Sequence, residues 1–181
     1  MGKRRLLLVR HCDVEDRYRQ VCYGRSDVGL SDAGHFRSQE LARQLATEPI
    51  TLVCHSGLAR TRILAEALAG LLRLPAQECS SLRERDFGEW ELRPWDALHT
   101  ETGDAILGTI HEPATWRPPG GETTFEMRDR VLNWFKALPT TGVIAAVTHG
   151  GPIAALRGTI YGHSIFEWHT LIPKTGEVIE L

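Results

Sequence analysis

Three short, almost unbroken apolar runs punctuate this chain, and each ends on a cationic or imidazole side chain. Leu6-Leu7-Leu8-Val9 breaks into Arg10-His11, Ile50 to Cys54 breaks into His55-Ser56, and Val143 to Val147 breaks into Thr148-His149-Gly150-Gly151. Runs of this kind predict strands buried on both faces, as in a parallel sheet covered by helices. Helical spacing fills the intervals. Ser31 is placed to cap a helix carrying Phe36, Leu41, Ala42 and Leu45 toward Pro49. The clearest helix spans 58–73, with Leu64, Ala67, Leu68, Leu71 and Leu72 in register, and Pro75 ends it. Thr123 with Glu126 fits a capping box opening a helix through Val131, Trp134, Phe135 and Leu138. A last helix runs from Pro152 to about Tyr161, and Leu171-Ile172 and Val178-Ile179 predict one or two closing strands. The pattern is that of an open α/β sheet, whose sites lie just beyond strand C-termini.

Residues 80–120 break this rhythm. They hold a charged stretch, Leu82 to Glu91, then Trp95, Trp116 and the turn Pro118-Pro119-Gly120-Gly121. An insertion of that length, at about 85–122, predicts a lid or pocket wall within a single domain spanning 1–181. Its tryptophans, Trp90, Trp95 and Trp116, suit a substrate with a flat or apolar part.

Composition narrows the setting. A net charge of −2 gives no support to a nucleic-acid or membrane partner, so positive character has to be local. No stretch approaches the roughly 20 apolar residues of a membrane span, and the run after Met1-Gly2-Lys3-Arg4-Arg5 is too short for a signal peptide. Residue 6 is Leu, which removes a myristoylation signal at Gly2. Four cysteines without a C-x-x-C pair predict free thiols in a reducing cytoplasm.

If the three strands are parallel neighbours, their terminal groups meet in one pocket suited to an anion. His11 is then the candidate nucleophile, since an imidazole with one nitrogen fixed by a hydrogen bond and the other bare can attack phosphorus. Arg10 and Arg60 are forks able to grip a phosphoryl group bidentately. Arg60 also starts a helix, where the dipole opposes its charge unless an anion is bound. His149-Gly150-Gly151 is a strand-to-helix turn whose glycines allow close backbone approach and whose helix supplies free N–H donors. Glu84 is a candidate proton donor to a leaving alkoxide, and from spacing alone Asp86, Glu89 and Glu91 compete with it. Eight histidines occur without H-E-x-x-H spacing, and cationic neighbours would repel a divalent ion, so no metal site is expected.

Four elements in order resemble the histidine phosphatase superfamily, the phosphoglycerate-mutase-like group. Leu8-Val9-Arg10-His11 is similar to its signature strand, Ser56-Gly57-Leu58-Ala59-Arg60-Thr61 to its Ser-x-Leu-x-Arg-Ala element, and Leu82 to Gly88 to its acid-bearing element. Val147-Thr148-His149-Gly150-Gly151 resembles its second-histidine element. The resemblance implies a three-layer α/β/α sandwich with a mostly parallel central sheet. It also implies a phosphorylated nucleophile at His11, a phosphate pocket of Arg10, Arg60 and His149, and Glu84 as general acid. No metal or organic cofactor is implied, and the partner is a small-molecule phosphoester.

The sequence departs from the family's pattern at several points. Cys12 replaces the signature glycine, Gly57 a common proline and Leu64 a usual threonine, and Arg17 stands where many members carry a phosphate-binding asparagine. A thiol at Cys12, beside a cationic pocket, would have a lowered pKa. Tyr23-Gly24-Arg25-Ser26-Asp27, Phe87 to Glu91 and Pro119 to Glu122 are similar to the α-ribazole phosphatase branch. Arg17, Tyr23, Gly24 and Gly150, the last from the His149-Gly150-Gly151 turn, join Arg10 and Arg60 as expected substrate contacts. Only about 30 residues separate Glu91 from Gly121, short for a mutase. The resemblance therefore implies a phosphomonoesterase, possible on α-ribazole 5'-phosphate, with a phosphoglycerate mutase or a non-catalytic phosphate-binding module as alternatives.

Overall fold

The computed structural model describes residues 3–181, so the reading of Met1-Gly2 lies outside the described residues. The three apolar runs form β1 (Arg5–Arg10), and two further strands that follow in chain order after β2 (Val21–Cys22). These are β3 (Ile50–His55) and, beyond β4 (Ala76–Glu78) and β5 (Arg93–Pro94), β6 (Val143–Thr148). A final strand, β7 (Val178–Glu180), completes a five-stranded sheet in the order β4-β3-β6-β1-β7. All pairings are parallel except β7 with β1.

Register decides where the ends fall. Arg10 pairs with Thr148 and His55 with Val147, so the chain leaves β1, β3 and β6 at one edge and delivers His11, Ser56 and His149 side by side. Successive β1 side chains face opposite layers. Leu7 and Val9 pack under α1 (Asp32–Leu45) and α2 (Ala59–Leu72), and Leu6 and Leu8 enter a second core. Beyond α3 (Trp95–Thr102) and α4 (Gly108–His111), α5 (Thr124–Ala137) and α6 (Gly150–Tyr161) cover that second face, giving the three-layer sandwich.

The starts predicted at Ser31 and Thr123 hold, whereas the last helix begins at Gly150, two residues before Pro152, because His149 is its N-cap. The Ser31 hydroxyl accepts from Gly34 N at 3.0 Å, and Thr123 with Glu126 closes a capping box. Phe36 and Leu71 do not lie on the core faces: they are 66% and 54% exposed. The buried sets Gly34/Ser38/Leu41/Leu45 and Thr61/Leu64/Leu68 keep three- or four-residue spacing, which leaves those two residues off the stripe. Only the second expected closing strand forms. Leu171 instead ends a 3₁₀ segment, Ile165–Leu171, because Ser164 and Glu167 cap its start and Arg157 donates to Leu171 O at 2.7 Å.

The insertion builds a small core of its own. The two-residue strands β2 and β5 pair antiparallel, and Cys22, Trp90 and Leu98 pack with Phe87, Trp95 and Trp116 beneath α3. Trp90 and Trp116 meet edge-on with centroids 5.6 Å apart, so they serve this core and not a substrate. Trp95 alone of the three expected tryptophans reaches the central cavity, in company with Phe87.

Candidate active site

His11 follows β1 directly. Its backbone N–H donates to Thr148 O at 3.0 Å, and its Nδ1 lies 2.7 Å from Cys12 O. A carbonyl only accepts, so Nδ1 carries the proton and Nε2 is left with a lone pair. Burial, then the charge of Arg60, push the imidazole pKa down to about 3; the Cys12 carbonyl opposes this and Arg10 adds to it. His11 is therefore neutral through the physiological range.

His149, the residue before α6, sits with its ring centroid 5.2 Å from that of His11. Its tautomer follows from a chain of hydroxyls. Thr61 Oγ1 donates to Leu58 O at 2.8 Å, which leaves Thr61 to accept from Ser56 Oγ, also at 2.8 Å. The Ser56 oxygen in turn accepts from His149 Nε2 at 2.8 Å. Nδ1 of His149 is left buried and unpartnered. Burial foremost, followed by Arg60, holds the His149 pKa well below the usual histidine value.

Arg60 is wholly buried, at 0% exposure, in the first turn of α2. Its terminal nitrogens donate to Ser26 O at 2.7 Å and Gly24 O at 2.6 Å, its guanidinium carbon stands 5.0 Å from the Tyr23 ring centre, and its Nε has no partner. The loop 23–26 is what orients this cation, and Gly24 takes a positive φ of 33° to present its carbonyl. Arg10 donates to Pro173 O at 2.7 Å and likewise keeps a buried, unpartnered Nε. Among the described residues five buried polar side-chain atoms lack a partner, and three of them (Arg10 Nε, Arg60 Nε, His149 Nδ1) belong to the residues gathered around His11. Buried polar groups are otherwise satisfied, so the two open guanidinium N–H donors mark a place prepared for an oxyanion, which His149 Nδ1 can join as a donor only when its ring takes up a proton with the anion.

The acid-bearing loop resolves the choice among carboxylates. Glu84 is held by Arg85 N at 2.9 Å and by Gly151 N, at the start of α6, at 3.3 Å. A side chain on Gly151 would collide with Glu84 Oε1, so a glycine is required for this approach. Asp86 instead pairs with Arg25 at 2.9 Å, Glu91 accepts from the backbone of Arg25 and Ser26 at 2.8 and 2.7 Å, and Glu89 faces solvent. Glu84 alone of the four lines the cavity of about 380 Å³ whose walls include Arg10, Tyr23, Gly24, Arg85 and Trp95.

Some expected contacts sit elsewhere. Arg17 is 67% exposed on its side chain and pairs with Glu15 at 2.9 Å, because the short turn Asp16–Tyr18 directs it outward; Arg19 from the same turn lines the cavity instead. Gly150 is buried, and an added Cβ would lie 3.4 Å from the Arg10 guanidinium carbon, whereas Gly151 forms the cavity wall. Cys12 turns into the core under α1, where burial pushes its thiol pKa up, against the expected lowering; the Ser38 hydroxyl opposes this only in part. Sequence reasoning missed Ser56 as the partner of His149, and it missed Arg130. That arginine donates to Ser81 O and Arg83 O at 2.7 Å each and to Glu84 O at 3.0 Å, and it pairs with Glu122 at 2.6 Å. Ser56 was at least within a quoted motif; nothing in the spacing of α5 singled out Arg130.

The model of the histidine phosphatase superfamily (branch 1) matches residues 6–181. The chain belongs to that superfamily. It is 30% identical to a glucosyl-3-phosphoglycerate phosphatase of Mycolicibacterium vanbaalenii, over 94% of this chain and 80% of that one. It is 31% identical to a probable phosphoglycerate mutase of Proteus mirabilis, over 86% of this chain and 74% of that one. The α-ribazole phosphatase structure from Shigella flexneri superposes with a TM-score of 0.81 at 22% identity, covering 97% of this chain and 89% of that one, a likeness of fold alone. This superfamily member is an enzyme of the phosphatase and mutase type, with an α/β sandwich shared across its relatives. No helix among the described residues is long and apolar enough to cross a membrane.

Proposed function

We propose that the chain is a metal-independent phosphomonoesterase that hydrolyses a small phosphorylated metabolite through a phosphohistidine at His11. The two unpartnered guanidinium nitrogens beside His11, Arg10 Nε and Arg60 Nε, carry this reading. They supply cationic donors for the phosphoryl oxygens, so the positive charge that a divalent ion would contribute is already in place, and His149 Nδ1 adds a further donor once the bound anion draws a proton onto that ring. The Nε2 lone pair of His11 attacks phosphorus, the bond to the leaving oxygen breaks, and Glu84 gives that oxygen its proton. Water then attacks the phosphohistidine, Glu84 takes the water's proton, and inorganic phosphate leaves with His11 Nε2 bare again. The insertion at 85–122 acts as the wall over the leaving group, through Phe87 and Trp95. The free cysteines among the described residues fit a reducing cytoplasm.

Two substrates follow from the named relatives, a glycerate phosphate carrying a sugar and α-ribazole 5'-phosphate. Arg19 and Arg85 on the cavity wall favour a leaving group with a further anionic or hydroxyl-rich part. The relative named as a probable phosphoglycerate mutase keeps mutase activity as a second reading. Incubation with ³²P-labelled phosphoester followed by rapid quench decides the mechanism. Acid-labile, base-stable label should appear on the wild type and be absent from His11→Ala, and turnover surviving in that variant would overturn the assignment. A coupled assay with 3-phosphoglycerate and bisphosphoglycerate separates hydrolysis from transfer.

A further inference from the structure

Beside the central cavity lies a second chamber of about 150 Å³, set between α5, α6 and the segment Ile165–Leu171. Ile110, Met127, Ala154, Ile165 and Trp168 give it a mainly apolar wall. Three residues, Arg85, Gly151 and Ile172, line both spaces, so the two adjoin. Two of these three also hold the Glu84 carboxylate, through Arg85 N at 2.9 Å and Gly151 N at 3.3 Å. Arg85 is itself nearly buried, and it is anchored by donating to Thr124 Oγ1 at 2.9 Å, which also lines the chamber.

The position has a chemical meaning. On the reading above, on which this inference rests, the leaving oxygen must meet Glu84, so the carbon attached to that oxygen starts at the partition between the two spaces. A mainly apolar pocket of about 150 Å³ is of a size to take a benzene ring. We propose that this chamber is a leaving-group subsite, and that the preferred substrates are monoesters whose alcohol carries, besides the polar part met by Arg19 in the central cavity, a compact apolar or aromatic part of roughly six carbons. The phosphoryl group is read by Arg10, Arg60 and His149, and the chamber reads what is left.

Alkylphosphonates from methyl to octyl test this without turnover, by calorimetric titration of the intact protein. Affinity should rise about fourfold per methylene, the ordinary gain for burying a CH₂, and level off near six carbons. Ala154→Leu, which narrows the chamber, should flatten that series, and Ile165→Ala, which widens it, should carry the rise to longer chains. The second variant keeps the test decisive if the first does not fold. A flat wild-type series, or a rise that neither folded variant alters, would overturn the proposal. Loss of the chemistry reads out separately: failure to hydrolyse methyl or p-nitrophenyl phosphate would overturn the phosphatase reading while the phosphonate series still decides the chamber.

Discussion

The proposed nucleophile and the proposed acid of this enzyme are held in different ways. His11 and His149 leave the ends of β1 and β6, strands buried on both faces and paired residue for residue, so their backbone positions are set by the sheet ladder itself. Glu84 stands on a loop with no such ladder. Its backbone is gripped from α5 by Arg130, which reaches Ser81, Arg83 and Glu84 carbonyls, and by Glu122, whose Oε1 accepts from Asp86 N at 3.0 Å. Arg25 ties the same loop to Asp86 at 2.9 Å and Glu122 at 3.0 Å. The sheet thus places the groups proposed to bind and attack phosphorus, and a side-chain network places the carboxylate proposed to move a proton. A ladder cannot be undone by one substitution, whereas a network of charge-assisted hydrogen bonds hinges on a few atoms.

That contrast can be broken first at its rigid end. Removing the nucleophile in His11→Ala should lower kcat by about 10⁵- to 10⁶-fold in steady-state assay, with the phosphorylated intermediate lost as described above. Glu84→Gln should cost about 10²- to 10⁴-fold on alkyl phosphates, whose leaving oxygen needs a proton, and far less on p-nitrophenyl phosphate. An equal loss on both substrates would show that Glu84 does something other than donate a proton.

Arg130→Met sharpens the comparison, because it leaves every reacting group in the molecule but loosens the loop. A loss of roughly 10- to 100-fold in kcat on alkyl phosphates is expected, with p-nitrophenyl phosphate again spared, since misplacing a group by about 1 Å costs rate on that scale. Arg130→Lys should not restore activity, because one ammonium cannot reproduce bonds to three carbonyls and a carboxylate. Loss of both substrates in parallel would mean that Arg130 supports the fold and not the acid.

The smallest effect is one of pH on stability. His11 has its pKa depressed to about 3 in the folded protein, and His149 shifts in the same direction. Between the unfolded histidine value near 6.5 and about 3, the unfolded chain therefore binds more protons than the folded one, and stability must fall as pH falls across that window. Urea midpoints should drop from pH 7 to pH 4, and His11→Asn should drop less steeply. A wild-type midpoint independent of pH in this window would contradict the burial of both neutral rings.

Much of this was legible in one dimension. Apolar runs broken by Arg-His and by Thr-His-Gly-Gly predict buried parallel strands, because four to six apolar residues bounded by turn signals are too short for a buried helix, and the capping residues at 31 and 123 mark helix starts by local chemistry. The order of the four motifs then carries the family, and it picks out His11, Arg10, Arg60, His149 and Glu84 as the site candidates. What local patterning could not carry is anything that depends on which distant segment faces which. Only the packed molecule turns Arg17 away and brings Arg19 in, sinks Cys12 and Trp90 into apolar cores, and leaves Glu84 on the cavity while tying Asp86 and Glu91 to structural partners. The same holds for Ser56 behind His149, 93 positions away, and for Arg130 behind Glu84, 46 positions away. Spacing along a chain encodes faces of helices and strands, but hydrogen-bond partners across such separations exist only once the sheet has closed.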